Sequence, residues 1–347
     1  MKNIAIVGYG GQGAWHAGWA MRSDVIALSG IYDISEKRTT AAKEAGIHVY
    51  SSFEELLCDR AVDIVVCATP NDSHKDIVVA AAKAGKHIIC EKPVALSVSD
   101  FDEMTNAAEA AGVRFSVHQN RRWDVDYLAV KSVVDSAKIG DTINIESRIH
   151  GSRGIPSDWR CHKPQGGGMI LDWGVHLIDQ MLLLIPERVT KLYCEVTNIT
   201  TNEVDDGFNL HLTFESGKRA TVEVGTYNFI SLPRFYMQAK EGSVYIEDWQ
   251  KPFVGTRLKA WCEKDVTPVQ TAAGITKTMA PRDELTLEGF EIKRPLSDVH
   301  DFYRNFTRAI DGKEEQLVLS SQVRRVLEVM EAAFLSAERG EALSLDI

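Results

Sequence analysis

A glycine-rich segment close to the first residue constrains the fold more than any other feature of this sequence. The apolar residues 4–7 are typical of a buried strand, and Gly8-Tyr9-Gly10-Gly11-Gln12-Gly13 follows them directly. In such a segment Gly8 permits a tight turn, Gly10 lets the backbone approach a phosphate, and Gly13 allows the next helix to pack closely on the strand. The pattern therefore predicts a strand, a phosphate-binding loop and a helix whose N-terminus faces negative charge.

Short apolar runs and helix-like stretches alternate over the rest of residues 1–121. Further strands are predicted at residues 25–32, 63–68, 87–90 and 114–118, and helices at residues 14–21, 36–45, 73–84 and 99–111. Gly46, Gly85 and Gly112 follow the last three helices, as expected just past a helix end. Alternation of this kind predicts a doubly wound α/β domain, in which helices cover both faces of a parallel sheet.

The pattern changes after residue 121. A helix that reaches Lys138 is followed by strands in which apolar and polar residues alternate strictly, as around Ile143 and Ile145. Such alternation is typical of half-buried antiparallel strands, and hairpin turns are predicted at residues 215–218 and 241–242. Helices are predicted at residues 297–310 and 321–339, whereas residues 250–295 are left unassigned. Residues 122–347 are therefore predicted to form a second α/β domain, for substrate binding and oligomerisation, with a mainly antiparallel sheet.

Charge and cysteine content exclude several kinds of partner. The chain has 39 lysines and arginines against 49 acidic residues, a net charge of −10, so nucleic acid and membranes are not expected as partners. Six scattered cysteines without a zinc-ligand spacing favour a reducing compartment. Because the first apolar run is too short for a signal peptide and no run is long enough to span a bilayer, a cytoplasmic location is expected.

Asp33 bears on the choice of cofactor. It ends the second predicted strand, about 20 residues beyond Gly13, where a carboxylate accepts hydrogen bonds from the hydroxyls of an adenosine ribose. A 2′-phosphate would be repelled there, so NAD(H) is expected in preference to NADP(H). Ser35, Lys37 and Arg38 lie close by and would soften this preference, unless they only form the solvated first turn of a helix.

Further candidate contacts with the cofactor lie in loops at the carboxyl edge of the predicted sheet, where open α/β folds bind ligands. After the third strand these are Thr69, Pro70, Asn71 and His74, although residues 71–73 suit a helix cap equally well. Elsewhere along this edge they are Gly11, Gln12, Glu91, Lys92 and Gln119.

Three further motifs carry a resemblance to a known family. Glu91-Lys92-Pro93 follows the predicted strand 87–90, Asn120-Arg121-Arg122 follows the last strand of the first domain, and residues 166–179 read Gly-Gly-Gly-Met-Ile-Leu-Asp-Trp-Gly-Val-His-Leu-Ile-Asp. With the glycine segment, these motifs resemble those of the Gfo/Idh/MocA oxidoreductases, the glucose-fructose oxidoreductase and inositol dehydrogenase family. The resemblance implies an N-terminal Rossmann domain, a C-terminal α/β domain with a large open sheet, and a homo-oligomer, either a dimer or a tetramer.

The resemblance also implies a catalytic set formed by Lys92, Asp172 and His176. Asp172, His176 and Asp179 are spaced i, i+4 and i+7, which predicts one shared helix face. Oxidation of a secondary alcohol needs a base for the hydroxyl proton, and histidine suits that task near neutral pH. We assign His176 as principal acid and base, Lys92 as the group that polarises the substrate oxygen, and Asp172 as the residue that orients them. Which of Lys92 and His176 holds the proton stays open.

No metal is expected at this site, because no second histidine lies at a zinc-ligand spacing and the family needs none. Asp179 is expected to have a structural role. Arg121, Trp159 and Arg160 are candidates for binding substrate together with the catalytic set, although residues 157–163 would equally well form a surface loop with one packed tryptophan.

Three functions are consistent with these residues. The first is an NAD-dependent dehydrogenase that moves a hydride to or from a secondary hydroxyl of a sugar, a glycoside (for example at C3) or a cyclitol such as inositol. The second is a glycoside hydrolase that uses bound NAD for transient oxidation. The third is a ligand-sensing protein of the same fold, which is disfavoured because Lys92 and His176 are both present.

Overall fold

A computed structural model describes residues 1–259, 267–282 and 284–347. In its first part, strands alternate with helices. The strands are β1 (Lys2–Val7), β2 (Ile26–Tyr32), β3 (Ile64–Cys67), β4 (His87–Cys90) and β5 (Phe115–Val117), and the helices are α1 (Gly11–Ala20), α2 (Glu36–Glu44), α3 (Phe53–Cys58), α4 (His74–Lys83) and α5 (Val98–Ala110).

These five strands form one parallel sheet in the order β2-β1-β3-β4-β5. A parallel bridge between Ile31 and Val49 adds the start of a further strand beside β2. The chain leaves β1 toward β2 on one side and crosses to β3 on the other, so a crevice opens at the carboxyl ends of β1 and β3. The predicted doubly wound domain is confirmed.

The apolar strands of this sheet are buried because helices cover both of its faces. Ile4, Ile6 and Val66 are fully buried, as expected for a parallel sheet between two helical layers. Ser52 and Ser97 start helices α3 and α5, because each side chain accepts a hydrogen bond from a backbone N–H of the first helical turn.

The second part of the chain is built on a nine-stranded sheet in the order β15-β12-β11-β10-β6-β9-β8-β7-β16, antiparallel except where β6 pairs with β9. Its strands are β6 (Thr142–His150), β7 (Val189–Thr197), β8 (Gly207–Phe214), β9 (Arg219–Gly225), β10 (Phe235–Ala239), β11 (Gly242–Ile246), β12 (Val254–Leu258), β15 (Leu287–Glu291) and β16 (Leu343–Ser344), and a separate hairpin joins β13 (Val269–Thr271) to β14 (Gly274–Thr276). The helices are α6 (Val125–Ser136), α7 (Val175–Leu184), α8 (Asp301–Ile310) and α9 (Ser320–Arg339). This confirms the large, mainly antiparallel sheet.

One face of the large sheet packs against helices and the other is polar. On β8 the side chains of Phe208, Leu210 and Leu212 are buried, and helices α7 and α9 contact the sheet on β9 and β7. Ion pairs lie along the polar positions, with Arg148 Nε on β6 2.8 Å from Glu223 Oε2 on β9. The alternation of residues along these strands therefore separates the core from an open, charged face.

Helix α8 returns to the first domain after the large sheet is complete. Its side chains Phe302, Tyr303 and Phe306 are buried in the core formed by the parallel sheet. Arg122 also connects the two parts of the chain, because its guanidinium donates two hydrogen bonds to Asp179 on α7, at 2.8 and 2.6 Å. This contact is consistent with the structural role expected for Asp179.

The structure differs from the sequence-based expectations in detail. Helix α8 begins at Asp301 rather than at residue 297, because Asp298 precedes it in a turn and accepts from the backbone of His300. The unassigned residues 250–295 contain β12 to β15, strands too short and too exposed to show periodicity. Cys262 lies outside the described residues. Within those residues, no helix has the length and apolar character to cross a bilayer.

Candidate active site

The glycine loop after β1 is shaped by close backbone contacts. Gly8 has φ +91°, and a Cβ there would lie 2.7 Å from the carbonyl oxygen of Ala68. A Cβ on Gly13 would lie 1.8 Å from the carbonyl oxygen of Gly8. Both positions therefore require glycine, whereas Gly10, Gly11 and Gln12 line a cleft of about 360 Å³ in front of α1. A backbone loop at a helix N-terminus is suited to a pyrophosphate.

A second cavity of about 610 Å³ continues from this cleft past the end of β2. Asp33 lines it, and its carboxylate accepts hydrogen bonds from the backbone N–H of Tyr9 (2.6 Å) and Ser35 (2.7 Å). These bonds fix the carboxylate where an adenosine ribose would lie in a Rossmann domain.

Arg38 lines both cavities, and the sequence suggested it only as a neighbour of Asp33 that would soften the cofactor preference. Its Nη1 donates a hydrogen bond to the carbonyl oxygen of Tyr9 at 3.0 Å and lies 3.0 Å from where a Cβ of Gly10 would be. The guanidinium therefore covers the glycine loop next to Asp33. Its position in the solvated first turn of α2 concealed this arrangement in the sequence.

The loop after β3 forms the opposite wall. Thr69 and Pro70 line both cavities. Asn71 is buried, and its amide donates to the carbonyl oxygens of Gln165 and Gly166, which ties this loop to the second domain. His74 is fully buried, with one ring nitrogen 2.9 Å from the carbonyl oxygen of Thr69. His74 therefore supports the wall from behind.

Lys92 and Asp172 meet where the two domains face each other. The Lys92 ammonium donates to the Asp172 carboxylate Oδ1 and to its carbonyl oxygen, both at 2.9 Å. Arg160 Nε lies 3.1 Å from Asp172 Oδ2, on the other side of the carboxylate. Burial by itself raises the pKa of Asp172, but Lys92 and Arg160 outweigh it and hold that pKa below its usual range. Asp172 is therefore an anion between two cations.

A π-helical turn, Ile170–Gly174, presents Asp172 to Lys92. The turn is held at its start because Ile170 N donates to Asp205 Oδ2 at 2.8 Å. Asp172 lies in this π-helical turn and His176 lies in the first turn of α7, so the two residues do not share one regular α-helix, as their spacing had assumed. The hydrogen bonds of Asp172 go instead to Lys92 and Arg160.

His176 lies in the first turn of α7 and is only 4% exposed. Burial lowers its pKa well below the usual value, and the nearby charges of Lys92 and Arg121 lower it further. The ring is therefore neutral at physiological pH. Its Nδ1 is buried without a hydrogen-bond partner among the described residues, so it is free to accept or donate a bond.

A third cavity, of about 360 Å³, lies on the other side of Asp172 and Arg160, toward the large sheet. Trp173 and His150 line it, and the Arg121 guanidinium stacks on the Trp173 ring at 4.1 Å. Aromatic, basic and acidic groups in one small cavity suit a polar ring compound. Sequence reasoning did not single out Trp173, which lies inside the motif of residues 166–179, or His150, which looks like an ordinary polar position of a strand.

Most of the remaining predicted residues line the inner end of the first cleft. Glu91, Lys92, Trp159, Arg160 and Asp172 line it together. Gln119 is buried at the end of β5, and neither polar atom of its side chain has a partner among residues 1–259, 267–282 and 284–347. Unpaired buried amide groups and an open glycine cradle fit a nicotinamide dinucleotide, which brings both phosphates and a carboxamide.

Comparisons with known proteins agree with this geometry. Residues 2–119 match the oxidoreductase family with an NAD-binding Rossmann fold, and residues 127–245 match the GFO/IDH/MocA C-terminal domain. The solved structure of an NAD-binding protein from Listeria innocua is similar, with a TM-score of 0.95, 40% sequence identity and 99% of each chain covered.

Relatives with a named activity include two enzymes that cover most of the chain. A scyllo-inositol 2-dehydrogenase (NADP(+)) of Bacillus subtilis is 26% identical, covering 99% of this chain and 96% of the relative. A 2,7-anhydro-N-acetylneuraminate hydratase of Escherichia coli is 31% identical, covering 71% of this chain and 68% of the relative. The first domain is thus an NAD(P)-binding Rossmann domain, and the chain belongs to the Gfo/Idh/MocA oxidoreductase family, as its motifs had indicated.

Proposed function

We propose that this protein is an NAD-dependent dehydrogenase that moves a hydride between nicotinamide and a secondary hydroxyl of a sugar, glycoside or cyclitol. The observation that carries the proposal is the contact of Lys92 with Asp172. It joins the end of the dinucleotide cleft to the third cavity, so a hydroxyl carbon held in that cavity meets an ammonium and a carboxylate beside the cofactor. The inositol dehydrogenase among the relatives supports a polyol substrate.

The roles of the side chains follow from their charges. When bound, the nicotinamide accepts or returns the hydride. The neutral ring of His176 accepts the hydroxyl proton, and the Lys92 ammonium stabilises the oxygen as negative charge develops on it. Asp172 holds that ammonium in place and offers an acceptor to a neighbouring substrate hydroxyl. Arg121, Trp159 and Arg160 complete the substrate wall.

The charged face of the large sheet and the free cysteines bear on oligomeric state and location. The open, charged face of the large sheet is suited to pairing with another copy, and we propose a homodimer or homotetramer. We also propose a cytoplasmic location, where free thiols such as Cys67 and Cys90 stay reduced.

An absorbance screen for NADH formation tests this function. Free sugars, glycosides, inositols and sugar acids are supplied one at a time with NAD⁺ or NADP⁺, and mass spectrometry follows the products. We expect NADH formation with at least one polyol and a keto product two mass units lighter. Release of an aglycone without net NADH would instead support the hydrolase, and neither product with any class would contradict the proposal.

Asp33→Asn is expected to reverse part of the cofactor preference. The amide keeps the size of the side chain and one acceptor oxygen for the backbone bonds, but it no longer repels a 2′-phosphate, to which Arg38 is adjacent. We expect NAD⁺ to bind about tenfold more weakly and NADP⁺ to bind more tightly, since one charge-assisted bond is worth about 1.5 kcal/mol or more. Titration calorimetry measures both dissociation constants.

The exposed Asp24, which precedes β2 outside the cleft, provides the matched control as Asp24→Asn. That variant should bind both cofactors as the wild type does. An Asp33→Asn protein whose two dissociation constants do not move would show that Asp33 has no part in the cofactor choice.

A further inference from the structure

Four buried polar side chains form a cluster directly behind Lys92. Glu91 is the residue before Lys92, His16 lies on α1, His118 follows β5, and Tyr303 lies on α8. Glu91 Oε1 lies 2.8 Å from His16 Nε2 and 2.7 Å from His118 Nδ1, and the Tyr303 hydroxyl contacts His16 Nδ1. None of the four is more than 5% exposed. The cluster thus connects the phosphate-binding helix to the catalytic lysine.

The contacts specify where the protons lie. Tyr303 donates to His16, and the two imidazoles each donate an N–H to the same carboxylate oxygen of Glu91. Lys92 N adds a weaker bond to the other oxygen, at 3.2 Å. These bonds are all made when Glu91 is ionised and the His16 ring is neutral. Glu91 therefore holds a negative charge in a buried place.

The pKa values agree with this assignment. Burial alone raises the pKa of Glu91, but His118 and His16 outweigh it and place the pKa well below the usual value. Burial lowers the pKa of His16, which keeps that ring neutral. The charge is not cancelled by Lys92, because the ammonium is bonded to Asp172 instead.

Glu91 is positioned to act on the cofactor. It lines the same end of the cleft as Lys92 and Asp172. Its charge also reaches His176, where it partly opposes the lowering of the pKa that burial and Lys92 cause. The proton transfer assigned above makes no use of Glu91 or of the three groups around it.

We propose that the Glu91 carboxylate, kept ionised by His16 and His118, favours the oxidised over the reduced cofactor in this cleft. The inference rests on the proposed NAD-dependent function. An oxidised nicotinamide ring carries a positive charge and a reduced ring carries none, so a nearby fixed anion in a poorly solvated place stabilises the oxidised form more. Glu91 thus acts on the bound cofactor through its charge and does not transfer a proton.

Binding measurements on Glu91→Gln test the inference without turnover. The substitution keeps the shape and removes the charge. We expect the ratio of the dissociation constants of NAD⁺ and NADH to rise about tenfold, which corresponds to a bound two-electron couple about 30 mV more positive. ADP-ribose, which lacks the nicotinamide, should bind as tightly as it does to the wild type. Calorimetry measures the dissociation constants of NAD⁺ and ADP-ribose, and fluorescence titration measures that of NADH.

A merely structural role for Glu91 gives a different result. Loss of the bonds that join α1, β4 and β5 would weaken NAD⁺ and NADH by the same factor, and that outcome would overturn the inference. Asp100→Asn, at a half-buried carboxylate paired with Lys75 outside the cleft, should leave the ratio unchanged.

A second pair of variants covers the case in which Glu91→Gln does not fold. Glu91→Asp and Glu91→Asn have the same shape and differ only in charge, so the NAD⁺ to NADH ratio should be about tenfold higher in the asparagine variant. Equal ratios would again overturn the inference. Failure of wild-type protein to bind ADP-ribose would contradict the proposed function itself, which separates the two conclusions.

Discussion

Lys92→Met is expected to lower kcat by about 10³-fold while the cofactor still binds. Methionine keeps the length and apolar stem of lysine but has no ammonium, so the substrate oxygen loses the cation that stabilises its developing charge. Asp172 then keeps only Arg160 as its partner. Because the substitution leaves the glycine loop and Asp33 unchanged, the dissociation constant of NAD⁺ should change little.

Steady-state rates on the substrate found by the screen, together with cofactor titration, measure this effect. Lys75→Met is the matched control, because Lys75 forms an ion pair with Asp100 on the outside of the first domain. His176→Asn should also abolish most turnover, since asparagine cannot take up the proton. An unchanged kcat in both the Lys92 and the His176 variants would remove the proposed catalytic site.

Arg122→Met is expected to destabilise the fold by about 3–5 kcal/mol, because it leaves the Asp179 carboxylate buried without its partner. The side chains of Arg122 and Asp179 are 7% and 3% exposed, and two hydrogen bonds join them. Arg122 also donates to the carbonyl oxygen of Leu317 and to Gln322 in the last part of the chain. The loss should therefore loosen α7 and α9 together.

Urea unfolding followed by circular dichroism measures the loss of stability. The double variant Arg122→Met/Asp179→Leu removes both charges and should recover much of it, as buried ion pairs replaced by apolar groups often do. Arg324→Met is the matched control, since Arg324 pairs with Asp102 where both side chains are more than 40% exposed, and it should cost less than about 1 kcal/mol. Equal losses in the free energy of unfolding for the Arg122 and Arg324 variants would contradict the argument that the Arg122 ion pair matters because it is buried.

The sequence alone was sufficient to identify the family and to predict the fold of the first domain. A glycine loop between a strand and a helix is local chemistry: Gly13, for example, is required by a contact with the backbone of Gly8 in the same loop. Strand and helix periodicity is equally local, so the parallel sheet and the alternating strands β8 and β9 were predicted near their observed positions. Short, exposed strands such as β13 carry no such pattern and were not found.

The sequence predicted which residues form the candidate site, but it did not predict the contacts between them. Lys92 and Asp172 are both conspicuous in their motifs, yet nothing in the sequence says that they hydrogen-bond to each other across the domain junction. The spacing of Asp172 and His176 suggested one α-helical face, and the π-helical turn changed that relation. His150 gave no signal, because it looks like an ordinary polar position of a strand. Arg38 was noted only as a neighbour of Asp33, and Trp173 lay inside a motif without being singled out.

By itself, the sequence determined the family and the local elements that hold the predicted catalytic residues, because propensity, turns and motifs depend on neighbours in the chain. The tertiary structure alone decided the charges that act at the site. Burial and the charge of Lys92 keep the ring of His176 neutral, whereas His118 and His16 keep Glu91 ionised although burial opposes it. Desolvation and charge pairing depend on distances in space, and these become fixed only when the chain has folded.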